Sequence, residues 1–193
     1  MIRNKGLFAF ILLTVIAVVY VIFDFQYEAH VESTKANEAL LLNLDKDQIN
    51  EVEIKRFGAQ GVSEVIVLKK SESGWGLTSP LVDLADPGAT SDFVEASTLE
   101  RYIELIKEGD SIDWKTYGLD QPRGQVTYKT NLGKSVTYVV SSQKNYIADV
   151  YIRKLDENKV YLASSTWTAR VDKQPYDFRD KRVLRGSYAG IES

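Results

Sequence analysis

Residues Asn50–Lys70 read NEVEIKRFGAQGVSEVIVLKK, and this stretch decides the fold. Val52 and Ile54 alternate with Glu51, Glu53 and Lys55, the two-residue period of a half-buried strand over Asn50–Phe57. A turn at AQG leads into Val62–Lys70, whose centre is apolar at consecutive positions and therefore reads as an interior strand. SESG turns the chain again into WGLTSP, Trp75–Pro80. Three strands joined by short Gly-bearing turns make an antiparallel meander, which needs no long crossover.

The same pattern returns after residue 123. GQVTYKT and KSVTYVVSS flank NLG, and YIADVYIRK and KVYLAS flank LDEN, giving two further hairpins. Between the two strand-rich regions lies DLADPGATSDFVEASTLERYIELIKEGD. Ser91 or Asp92 can cap a helix there, and Leu99, Tyr102, Ile103 and Ile106 follow the i, i+3, i+4, i+7 spacing of one apolar stripe, with Gly109 as a stop. STWTARVD reads as a short closing helix before PYDFRDKRVL. The expectation is an α+β domain: a largely antiparallel sheet built from two β-meanders, with one long and one short packing helix.

A different signal opens the chain. Leu7–Phe23, LFAFILLTVIAVVYVIF, is seventeen residues without a charge, Gly or Pro. With Phe25 it approaches the roughly 20 residues that cross a bilayer as a helix. Arg3 and Lys5 precede it, so the positive-inside rule places the N-terminus in the cytoplasm. The following FDFQYEAH sets bulky aromatics where a signal peptidase needs small side chains, so an uncleaved single-pass anchor is expected. The segments are then a cytoplasmic 1–6, an anchor 7–25, a polar stalk 26–39, a domain 40–184 and a tail 185–193. The expected location is a membrane crossed once, with the domain on its outer, extracytoplasmic side. His30, the one histidine, falls in the stalk and reads as a solvated residue.

Composition narrows the chemistry. The 193 residues contain no Cys, which removes disulfides and thiolate ligands. The net charge is −3, and Arg3, Lys5 and Asp24 carry +1 of it, leaving −4 on the rest. A mildly acidic body lacks the basic face that phosphate backbones require, so nucleic acid is not an expected partner. Walker, dinucleotide-binding and nucleophile-elbow motifs do not occur. Asp45–Glu51, DKDQINE, lacks the Gly and bidentate Glu of a calcium loop and reads as a solvated turn. Asp83, Asp86 and Asp92 read as loop and capping residues. No catalytic residue, cofactor or metal site is expected.

YGLDQP, Tyr117–Pro122, can be an active-site loop or a corner. Gly118 suits a left-handed angle, Pro122 launches a strand, and Asp120 can hold the turn by accepting a backbone N–H. Turn chemistry accounts for each residue, whereas catalysis accounts only for Asp120, so a corner is expected. In FRDKR, Arg179, Lys181 and Arg182 surround Asp180, which suits a corner ion pair bonding nearby carbonyls rather than an anion site. Trp75, Trp114 and Trp167 read as core aromatics, with a sugar-stacking platform as the alternative.

Taken together, Trp75–Pro80, the turn Tyr117, Gly118, Leu119, Asp120 and Pro122, and the run Phe178, Arg179, Asp180 and Lys181 resemble the domain-of-unknown-function family numbered forty-three forty, over about Leu40–Leu184. The resemblance implies a membrane-anchored extracytoplasmic protein, often a neighbour of ABC-transporter components of the gliding-motility auxiliary type, and brings no catalytic residue. Similar proteins often repeat the unit. Leu184 and Ile191 echo Leu42 and Ile49 at the same offset, so the tail is expected to resemble the start of a second unit. The expected function is that of a non-enzymatic accessory protein binding a partner of an ABC-type or envelope complex; a tethered glycan- or lipid-binding module using surface Trp and Tyr is the alternative.

Overall fold

The computed structural model describes residues 14–24, 26–27, 39–58 and 61–182, and the chain divides into two compact units, 1–40 and 41–193. In the first unit, residues 14–24 and 26–27 are helical. No helix among the described residues is long and apolar enough to cross a membrane. The expected anchor 7–25 runs through residues 7–13 and 25, which lie outside the described residues, as do His30, most of the stalk and the tail.

The second unit is built on one nine-stranded sheet in the order β4-β3-β2-β1-β6-β7-β8-β9-β5. Its strands are β1 (Ile49–Gly58), β2 (Gly61–Ser71), β3 (Gly74–Ser79), β4 (Asp83–Leu84), β5 (Glu104–Glu108), β6 (Gly124–Thr130), β7 (Ser135–Lys144), β8 (Val150–Lys154) and β9 (Lys159–Ala163). Every pairing is antiparallel. The two expected meanders are present, β1–β4 and β6–β9, and they join side by side through β1 and β6, with Ile54 opposite Val126. Gly124 permits this junction, because a Cβ there would lie 2.3 Å from the Lys55 carbonyl oxygen and 2.4 Å from Val171 Cγ1.

One face of the sheet carries the main core. Val52, Ile54, Ile66, Leu68, Val126, Tyr128, Tyr138, Val140 and Ile152 are buried there. Three helices cover them: α1 (Pro87–Leu99), α2 (Thr166–Val171) and α3 (Pro175–Phe178). Trp167 of α2 is fully buried against Tyr138, and Phe178 of α3 meets Phe93 of α1 edge-on at 5.3 Å. Burying side chains of this size contributes about 1.5–3 kcal/mol each. On the opposite face a smaller core forms from Leu119, Val139 and Val160, with Ile106, Ile112, Trp114, Tyr117 and Tyr151 packed around it.

The long helix departs from the expectation. Asp86 caps α1, accepting from the Ala89 N–H at 3.0 Å, and Pro87 occupies the first turn; Ser91 and Asp92 lie inside the helix. The buried stripe is Thr90, Phe93, Val94 and Ser97, and the helix stops at Leu99. Tyr102, Ile103 and Ile106 do not continue it. Ile103 donates its N–H to Leu162, and Ile106 lies in β5, which closes the sheet against β9. Pro at the first helical turn with Asp before it starts a helix more strongly than an internal Ser or Asp does.

A polar network ties α1 to α2. Arg170, 6% exposed, donates to Glu100 at 2.9 Å, to the Ala96 carbonyl at 3.1 Å and to Ser97 at 3.1 Å. Tyr128 donates to Ser97 Oγ at 2.8 Å, and Ser97 donates to the Phe93 carbonyl at 2.7 Å. Glu100 also accepts from Ser164 and Thr166. Breaking a buried ion pair by removing one partner leaves a stranded charge, so this cluster is structurally costly to disturb.

Candidate functional site at the Tyr117–Pro122 corner

The corner begins with a single turn of 3-10 helix, Trp114–Tyr117. Asp113 caps it, accepting from the Lys115 N–H at 3.2 Å and from Thr116 Oγ1 at 2.8 Å. Gly118 then takes the left-handed conformation, φ 64 and ψ 28, and its N–H bonds back into the turn. Leu119 is 2% exposed and drives into the smaller core, while Tyr117 packs on Tyr151 at 5.3 Å. An irregularity in β7 receives the corner: Ser141 Oγ donates to the Tyr117 carbonyl at 2.6 Å, and the Ser142 N–H donates to the Gly118 carbonyl at 3.2 Å.

The expected corner is therefore real, but Asp113 is the carboxylate that holds it. Asp120 is exposed, accepts no hydrogen bond and joins no ion pair among the described residues. After the αL turn at Gly118, Leu119 is drawn into the core with Val139 and Val160, and the next residue is left facing outward. Pro122 is half-buried, and Arg123 re-enters the sheet, donating its N–H to Val140 and accepting from Phe57.

Where the corner meets the tip of the β1–β2 hairpin, a cleft of ≈ 730 Å³ opens, lined by Phe57, Gly58, Gly61, Asp120, Gln121, Pro122, Arg123 and Ser142. The Arg123 guanidinium grips Asp172 with two bonds, 2.8 and 2.7 Å, and this partner raises its already high pKa. Arg56, behind the cleft, donates to the carbonyls of Asp172 at 3.1 Å and Lys173 at 2.7 Å and pairs with Glu64 at 3.1 Å. It thereby closes the C-terminal end of α2.

The other two motifs meet elsewhere. Trp75 is half-buried on β3 and its carbonyl accepts from the Ala85 N–H; the backbone N–H of Asp86 donates to the Phe178 carbonyl and that of Asp180 to the Leu84 carbonyl. The segment after α3 is thus laced to the residues following the Trp strand, with Pro80 at the strand's end after a cis peptide bond. Arg179 pairs with Asp83 at 2.7 Å, Arg182 with Asp180 at 2.9 Å, and Lys181 sits 4.1 Å from the Tyr176 ring centre. The ion-pair corner is present, with carboxylates rather than carbonyls as the partners. A single three-tryptophan platform is not formed. Trp167 is fully buried, Trp75 packs on the main core, and Trp114 packs on the opposite face under Arg153 at 4.4 Å.

Among the described residues no three His, Cys, Asp or Glu side chains gather at metal-binding range. A second, smaller hollow of ≈ 130 Å³ lies beside Trp75, between Lys46, Asp47, Lys70, Ser91 and Val94. Its volume lies below the roughly 300–1,000 Å³ of sites that enclose a larger ligand. The cleft at the corner was not visible in the sequence, because its walls come from three segments far apart in the chain.

The chain was compared with known families. The family described as Domain of unknown function (DUF4340) matches residues 95–193, just over half of the chain, including Tyr117–Pro122 and Phe178–Lys181. Trp75–Pro80 lies outside the matched span. No curated protein and no solved structure matches the chain.

Proposed function

Because this chain belongs to the DUF4340 family, we propose that it is a membrane-anchored, extracytoplasmic accessory protein whose folded domain binds another protein of an ABC-type or envelope complex. The observation that carries the reading is the helix of the first unit. Val15, Ile16, Val18, Val19, Tyr20, Val21, Ile22 and Phe23 are each 53–71% exposed, on every side of the helix. A helix that is apolar all round calls for an apolar surrounding, and the uncharged stretch of sequence Leu7–Phe23 to which these residues belong is of a length that suits a bilayer span.

A binding role rather than a catalytic one rests on the commitments of the carboxylates. Asp113 caps a turn, Asp172 holds Arg123, and Asp83 and Asp180 hold Arg179 and Arg182. Asp120 stands without a second positioned group, and general acid–base chemistry calls for one. Tethering adds to binding by confining the domain to a thin layer, which raises its effective concentration toward membrane partners.

The test is fractionation of the full chain expressed in a bacterial host. The protein is expected to stay with the membrane pellet through alkaline carbonate extraction, and its domain to be cleaved by protease added to spheroplasts. Release into the supernatant, or protection of the domain until the cells are lysed, would overturn the reading. Crosslinking in intact membranes is expected to yield a stable adduct with a transporter or envelope subunit.

A further inference from the structure

The cleft at the Tyr117–Pro122 corner has a definite chemical character. Its volume, ≈ 730 Å³, falls within the roughly 300–1,000 Å³ of sites that enclose a ligand of several linked groups. Among the described residues, two charged side chains line it, Asp120 and Arg123. Arg123 is neutralised by its two-bond grip on Asp172. Arg56 is held by backbone carbonyls and Glu64, so it does not serve as a counter-charge either. Asp120 is left with no hydrogen bond and no ion pair among the described residues, and the lining therefore carries one uncompensated negative charge.

The rest of the lining suits the remainder of a basic side chain. Phe57 and Pro122 provide an aromatic ring and an apolar wall; an aromatic face attracts a guanidinium or ammonium, and an apolar wall packs its alkyl stem. Gly61 has nothing within 4 Å of the position a Cβ would take, so its backbone is open to close approach by another main chain. The Gln121 amide makes no hydrogen bond among the described residues and is free to pair with that main chain.

From this, and resting on the reading of the domain as a protein-binding module, we infer that the cleft receives an Arg or Lys side chain on an extended segment of the partner protein. The Asp120 carboxylate is its counter-charge, and Phe57 with Pro122 forms its wall.

The experiment titrates the full chain, in detergent micelles, with acetyl-Gly-Arg-Gly-amide while amide resonances are followed by NMR. Matched probes are the citrulline tripeptide, which keeps the shape without the charge, and acetyl-arginine-amide, which keeps the side chain without the flanking chain. The expected result with the Arg tripeptide is saturable shifts at Phe57, Gly58, Gly61, Asp120, Gln121, Arg123 and Ser142, and none in the helices on the opposite face of the sheet. Affinity should fall about tenfold for citrulline and about tenfold in Asp120→Asn, a change that removes no internal contact. Absence of shifts, equal response to citrulline, an unaltered Asp120→Asn variant, or equal affinity for acetyl-arginine-amide would each overturn the inference. Membrane crosslinking of the wild type and of Asp120→Asn separates this from the broader reading. A partner adduct that persists at full yield in the variant after probe binding is lost overturns the cleft assignment alone. Probe binding as expected, with no membrane partner for the wild type, overturns the accessory role alone.

Discussion

Replacing Gly118 by Ala tests the corner at its tightest point. Two costs add. The residue has φ +64, and a Cβ-bearing residue in that conformation loses about 1–2 kcal/mol relative to Gly. The new Cβ would also lie 2.6 Å from Gln143 Cγ and 2.9 Å from Ser141 Oγ. Gln143 is exposed and can swing away. Ser141 is buried and holds the Tyr117 carbonyl at 2.6 Å while accepting from the Gln143 N–H at 2.7 Å, so displacing it sacrifices bonds of about 1 kcal/mol each. The total is about 2–4 kcal/mol. Gly133→Ala is the control: its φ is +78 and nothing lies within 4 Å of the added atom, so only the same conformational cost, about 1–2 kcal/mol, applies. Urea denaturation followed by tryptophan fluorescence measures both. The Gly118 variant should be the less stable of the two by about 1–2 kcal/mol. Equal losses at the two sites would refute the packing argument and reduce the corner to a matter of backbone angles.

Arg170→Met should cost about 3–5 kcal/mol by stranding Glu100, and adding Glu100→Leu should restore much of that loss; a double-mutant cycle in urea checks both. Burial pushes the Tyr128 phenol from 10.0 up to about 12. Its folded pKa is the higher one, so its contribution is intact below pH 10 and is lost as the pH rises toward 12, and stability measured across that range should fall less steeply in Tyr128→Phe. The hydrogen bond from Lys129, helped by one from Lys69, holds the Glu51 carboxyl below its ordinary 4.5. Its contribution is therefore present above pH 4.5 and disappears as the pH falls through the lower folded value; with both lysines half exposed it amounts to about 1 kcal/mol or less, and Glu51→Gln in low salt should remove that slope.

The strands were legible because their cores are made of local alternation. Val52 and Ile54 face one way, and their neighbours Glu51 and Glu53 the other, as a two-residue period requires. The long helix was misplaced because half of its buried stripe is hydroxylic. Thr90 and Ser97 do not register as apolar, and Ser97 earns its place through Tyr128 and Arg170, 31 and 73 residues away. Leu99, Tyr102, Ile103 and Ile106 satisfy a helical spacing by coincidence, while the strand they enter is recruited by β9, which comes much later in the chain. Asp86-Pro87 was the better start signal and stood in plain view. At the corner, turn chemistry named Gly118 and Pro122 correctly, yet the division of labour between Asp113 and Asp120 depends on which way Leu119 is pulled, and that is a tertiary matter.

The seam between β1 and β6 has a consequence for how the molecule can be divided. The span shared with the family starts inside α1 and omits β1 to β4, so cutting there would bare one long flank of β6 and remove Val52, Ile54, Ile66 and Leu68 from beneath the helices. An excised second half would thus present an open ladder ready to stick to its own copies, and dissection of this protein into smaller working parts should preserve both meanders.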